Sequence, residues 1–115
     1  MREELRSLIQ LGRVEKDIEV NDKLKVTVHT LSVLEQQGVM ENLPVKDMSE
    51  VAKFVHLQKL TLTHATKKIN DLEVTTEEAK EFYDSLQYSV LAEIFTKYSM
   101  LSEDQEKALE ELKKK

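Results

Sequence analysis

The apolar positions of this chain fall into two periods, and the change from one to the other marks the architecture. Leu5, Leu8, Ile9 and Leu11 recur at helical spacing and stop at Gly12, which suits the position just past a helix end because it adopts a left-handed backbone without a side-chain clash. A short helix over residues 2–11 is therefore expected. Two alternating runs follow, Val14 to Val20 and Leu24 to Thr30, joined by Asn21-Asp22-Lys23. Val14, Ile18 and Val20 share one face of the first run, with Lys16 as the polar exception. Leu24, Val26 and Val28 share a face of the second, with Lys25, Thr27 and His29 opposite. A period of two indicates half-buried strands, and the polar connection suits a tight turn, so this segment is a β-hairpin. An isolated hairpin is marginal in water, so it must lie on helices or extend another sheet.

From Ser32 onward the period is helical. Ser32 with Glu35 forms a capping box ahead of Val33, Leu34, Val39, Met40 and Leu43, with Gly38 as a weak point that could end the first part of that helix. Pro44 separates it from the next, which Asp47 with Glu50 opens. This longest run, about 48–69, carries apolar residues on a broad face, and Leu60-Thr61-Leu62-Thr63 belongs to it rather than to a strand. Asn70-Asp71 break the helix and Leu72-Glu73-Val74 bridges to Thr75, which with Glu78 forms another capping box. Ala79, Phe82, Tyr83, Leu86, Val90, Leu91, Ile94, Phe95 and Tyr98 continue at steps of three and four, with a bend between Ser85 and Ser89. Ser102 with Gln105 caps a last helix whose Leu109 and Leu112 are expected inward. The fold class is mostly helical α+β: a short N-terminal helix, one hairpin, then about four helices packed with it. A length of 115 residues suits one domain, with residues 1–31 as helix plus hairpin and 32–115 as the helical part.

Charge and composition narrow the function. The net charge is −5, with 22 acidic against 17 basic residues, which repels phosphate backbones unless the cations cluster. Lys67-Lys68 and Lys113-Lys114-Lys115 are the only clusters, and both suit helix C-termini, so no nucleic-acid partner is expected. The absence of cysteine removes disulfides and thiolate ligands and favours a reducing compartment. No run reaches the ~20 apolar residues of a membrane span, and the charged start is unlike a signal segment, so a cytosolic chain with no membrane partner is expected.

Candidate chemistry is sparse. His56 and His64 are eight residues apart on one predicted helix, ~12 Å along its axis, too far to share a metal, and His29 lies on the polar face of its strand. All three histidines are read as surface residues. The pairs Glu3-Glu4, Glu77-Glu78, Glu103-Asp104 and Glu110-Glu111 fit helix first turns or solvent faces. Two glycines provide no phosphate-cradling loop, and the serines lack a nucleophile-elbow context. The residues thus predict no catalytic site, no cofactor and no metal. The aromatic stripe Phe82, Tyr83, Tyr88, Phe95 and Tyr98 divides between core and interface, since tyrosine joins apolar area to a polar tip. Candidate protein contacts are Tyr83, Tyr88, Tyr98 and Phe95, together with Val26 and Val28 of the hairpin, whose outward edge could accept a strand.

Two segments carry a family resemblance. Leu5-Arg6-Ser7-Leu8-Ile9-Gln10-Leu11-Gly12-Arg13-Val14, Asp17-Ile18-Glu19-Val20 and Lys25-Val26-Thr27-Val28-His29-Thr30-Leu31-Ser32 form the first. Leu62-Thr63-His64-Ala65-Thr66-Lys67-Lys68-Ile69-Asn70, Thr75-Thr76-Glu77-Glu78 and Leu91 through Tyr98-Ser99-Met100-Leu101 form the second. Together they resemble small tail proteins of contractile-tailed bacteriophages: baseplate hub or hub-assembly proteins and tail assembly chaperones. The resemblance implies a non-enzymatic role in virion assembly, in the host cytoplasm and, for a retained subunit, in the virion tail. The partners it implies are other tail or baseplate proteins. A small cytosolic adaptor or regulatory domain, self-associating as a homodimer and unrelated to phages, is the alternative that the residues leave open.

Overall fold

The computed structural model describes residues 2–9, 11–43 and 48–114. Its elements run α1 (Glu3–Leu8), β1 (Glu15–Asn21), β2 (Leu24–His29), α2 (Val33–Glu41), α3 (Glu50–Ala65), β3 (Thr66–Ile69), β4 (Leu72–Glu73), α4 (Thr76–Ser85), α5 (Tyr88–Ser99) and α6 (Leu101–Lys113). The chain is mostly helical α+β, as its periodicity indicates. The strands form one antiparallel sheet in the order β1-β2-β3-β4.

The first hairpin forms where alternation places it. Asn21 closes the turn with its own side chain, Oδ1 accepting the amides of Lys23 at 2.8 Å and Leu24 at 3.0 Å. The register then slips between Glu19 and Asn21, a bulge at the end of the strand. Ile18 of β1 and Val26 and Val28 of β2 enter the core, where they meet Leu62 of α3, Ala79 and Tyr83 of α4, Leu91 and Ile94 of α5, and Leu101. Helices thus cover one face of the sheet. The opposite face carries charged and polar pairs, among them Thr27 donating to Asp17 at 2.7 Å and Lys67 beside Glu15 at 3.3 Å.

The expected helix over 48–69 is shorter, ending at Ala65, and the sheet has a second hairpin. Thr66, at the junction, leaves the helix with an extended backbone while its hydroxyl still donates to the Leu62 carbonyl at 2.7 Å. Asn70 and Asp71 take φ of 50° and 66°, the left-handed pair that a two-residue hairpin loop needs. They therefore build a turn rather than merely stopping a helix. Asn70 bonds the two turns together: its Oδ1 accepts from the Lys25 amide at 2.8 Å and its Nδ2 donates to the Lys23 carbonyl at 2.9 Å. Lys67 and Lys68 consequently sit on a strand, not at a helix end, and Lys67 pairs with Glu15.

The capping boxes at Ser32/Glu35 and Thr75/Glu78 are both formed. Asp47, like Pro44, lies outside the described residues, and α3 is capped by Ser49, whose hydroxyl accepts from the Ala52 amide at 3.2 Å. Gly38 does not divide α2, which runs through it. Its lack of a side chain instead makes room for His64, whose imidazole Cε1 would lie 3.2 Å from any added Cβ. The bend expected after Ser85 is a break between two helices, bridged by the Tyr88 hydroxyl donating to Gln58 of α3 at 3.2 Å. Lys59 of α3 holds Asp84 of α4 at 2.8 Å, and this bond keeps the Asp84 carboxyl below the usual carboxylate range. Leu101 begins α6, so Ser102 lies inside that helix rather than before it; the Ser102 and Leu112 side chains lie outside the described part.

A candidate interaction surface

The apolar residues of α1 and of the segment that follows it are only partly covered by the rest of the described residues. Leu5, Leu8, Ile9 and Leu11 are between 51% and 64% exposed. Gly12 follows with φ of +80°, and a Cβ there would stand 3.3 Å from Leu109 of α6. The helix expected over 2–11 is shorter, ending at Leu8 with Ile9 as its cap, so Gly12 serves the turn beyond it, supplying a left-handed backbone and a close approach of that turn to α6. Leu109, expected inward, remains 43% exposed beside it. Ile9 and Leu11 line a groove with Arg13, Thr30, Leu31, Ser32, Glu35 and Gln105, so the ends of α1 and β2, the start of α2 and the flank of α6 share one side of the molecule. Beyond the groove, Val33 and Leu34 of α2 are nearly fully exposed.

Beneath that side lies a polar cluster. His29 is buried, not on the surface as its strand face suggested, because β2 is an interior strand whose far end is covered on both faces. Its Nδ1 lies 2.8 Å from the Thr30 carbonyl, and its Nε2 lies 3.8 Å from Glu35 Oε2. The other Glu35 oxygen accepts from the Ser32 amide at 2.9 Å, completing the cap of α2. The Tyr98 hydroxyl donates to the His29 carbonyl at 3.2 Å. Burial, reinforced by the negative charge of Glu35, pushes the Tyr98 phenol up to about 12. The Thr30 hydroxyl accepts from the Val14 amide at 3.0 Å and holds the start of β1 against the end of β2.

The contact residues expected from the sequence divide sharply. Val26 and Val28 are completely buried in the core and present nothing to a partner, because their alternating face is the one the helices cover. Tyr83 is buried as well. Thr66 spends its hydroxyl proton on the Leu62 carbonyl, so at 2.6 Å the Tyr83 hydroxyl donates to Thr66. Burial pushes the Tyr83 phenol up to about 12. Phe95 and Tyr98 are half-buried, stacked with ring centres 6.3 Å apart, and line a second groove with Thr30, Leu31 and Leu101. Of the six, Tyr88 alone is exposed, on a different part of the surface beside Gln58. Sequence reasoning did not single out the exposure of Val33 and Leu34, and it noted the α1 stripe without placing it on the surface. The available signal was the stripe itself, which demands cover without saying where the cover comes from.

The acidic pairs Glu3-Glu4, Glu77-Glu78 and Glu103-Asp104 occupy helix first turns. Among the described residues no group of three histidine or acidic side chains is placed to hold a metal ion. No helix there is long and apolar enough to cross a membrane. No protein-family model, curated protein or solved structure matches this chain.

Proposed function

We propose that the chain is a non-enzymatic assembly protein of a contractile bacteriophage tail or baseplate, acting in the host cytoplasm by contact with other tail proteins. The reading is supported by the resemblance of its two long segments to small tail proteins. The observation that carries the contact role is the exposure of Leu5, Leu8, Ile9 and Leu11, each more than half open to solvent, together with that of Leu109, Val33 and Leu34. Burying several aliphatic side chains at an interface yields ~0.8 kcal/mol per buried methylene before the costs of association. A partner presenting a complementary apolar helix or groove would therefore bind here, while the sheet and helices α3 to α5 supply a rigid base.

The test is recovery of the tagged full chain from phage-producing cells, with the bound proteins identified by mass spectrometry. Tail or baseplate proteins are expected with the natural chain, and their loss with Leu8→Asp/Ile9→Asp, whose circular dichroism and melting should be unchanged. Recovery of host metabolic proteins alone, or equal recovery by the double variant, would overturn the reading.

A further inference from the structure

We infer that His29 and Glu35 form a proton-operated latch between the sheet and helix α2, closed when His29 is charged. With Nδ1–H given to the Thr30 carbonyl, Nε2 is the nitrogen left to face Glu35 Oε2 at 3.8 Å. That separation is too long for a hydrogen bond. A proton on Nε2 supplies both the donor and the opposite charge, converting the gap into a charge-assisted contact on a side chain mostly shielded from water.

The consequence is local, and it follows from how Glu35 is already used. Its other oxygen caps α2 through the Ser32 amide, so whatever fixes this carboxylate also fixes the first turn of α2. That turn starts with the exposed Val33 and Leu34 and borders the groove shared with Ile9 and Leu11. Charge on His29 would thus hold α2 to the sheet, and its loss would leave the helix start held by the Ser32 cap and the packing of Val39.

Besides His64 of α3, which packs against Gly38 of α2, the other charged and titratable groups around the pair come from the strands, α5 and the segment before β1. From β1, Glu15 stands opposite His29 in register and is engaged by Lys67 of β3 at 3.3 Å. From α5, Tyr98 donates to the His29 carbonyl and feels the charge of Glu35. Arg13 lines the groove with Glu35. Neither Arg13 nor Lys67 occupies the Glu35 oxygen that faces the imidazole, so that position stays available to Nε2. The latch is independent of which protein the exposed face binds.

Hydrogen exchange of the full chain by NMR tests it, comparing α2 amides at pH 5.5 and 7.5 after correction for intrinsic exchange. The informative variant is Glu35→Gln, which keeps a capping oxygen but removes the charge. In the natural chain, protection of Gln36 and Gln37 should rise roughly two- to fivefold on acidification, the worth of one partly exposed ion pair. In Glu35→Gln it should stay flat. Equal protection gains in both chains, or no gain in the natural chain, would overturn the latch. Because no partner takes part, its failure leaves the assembly reading untouched.

Discussion

Helices α1 and α3 carry apolar stripes of the same kind and meet opposite fates. Leu60, Leu62 and Ala65 of α3 are buried, roofed by the sheet and by α4 and α5. Leu5 and Leu8 of α1 and its cap residue Ile9 are more than half exposed, and Leu109 approaches Gly12 in the turn that follows. The stripe on α3 is a folding signal, and the stripe on α1 is a surface. Amphipathicity states that a face needs cover but is silent on whether the cover belongs to the same chain. Six residues also make a helix too short to persist by propensity alone.

The contrast can be broken or sharpened by measurement. Leu62→Ala opens a cavity among fully buried neighbours and should cost about 2–5 kcal/mol in urea unfolding. A cost below about 1 kcal/mol would mean that the body is no tighter than its exposed end.

Next in size is an alkaline effect confined to the body and the polar cluster. Both buried phenols are raised from 10 to about 12. Below pH 10 the folded and unfolded states are equally protonated and stability is independent of these groups. Between pH 10 and 12 the unfolded chain loses its phenolic protons first, so stability falls as pH rises. For the deeply buried Tyr83 the fall should approach ~2–3 kcal/mol, at 1.36 kcal/mol per unit. Tyr98 is more open to solvent and should contribute less. Tyr83→Phe should flatten much of that slope, seen in melting temperature against pH, while costing ~1 kcal/mol at neutral pH through the lost bond to Thr66.

Asn70→Ala ranks third. It removes two side-chain hydrogen bonds to the neighbouring turn and places alanine at φ 50°, for a loss of about 1–3 kcal/mol. Amide exchange should localise the loosening to β3 and β4.

The smallest effect is expected at the open end. Leu8→Ser/Ile9→Ser should shift the urea midpoint by no more than about 0.5 kcal/mol equivalent. A loss comparable to that of Leu62→Ala would show that α1 is part of the core after all.

Much of the body was legible in the residues. The first hairpin, both capping boxes and the left-handed Gly12 each rest on interactions within a few neighbouring positions, where sequence carries the full information. The second hairpin was not legible. Its turn is Asn-Asp without glycine, and Thr66-Lys67-Lys68-Ile69 continues the helical spacing of the preceding residues. What decides it is β2, whose free edge accepts β3 and whose turn is stitched to Asn70 across more than forty residues.

Three of the expected contact residues, Val26, Val28 and Tyr83, are buried for the same reason. Alternation correctly places Val26 and Val28 together, but which face the helices take is settled by packing. His29 reads as polar and outward until β2 becomes an interior strand and Tyr98 and Glu35 close over it. By itself the sequence determined the local elements, their caps and the demand that certain faces be covered, because those follow from backbone geometry and short-range hydrogen bonds. Only the tertiary structure decided which demands are met within the chain and which are left to face outward, because burial depends on partners distant in sequence.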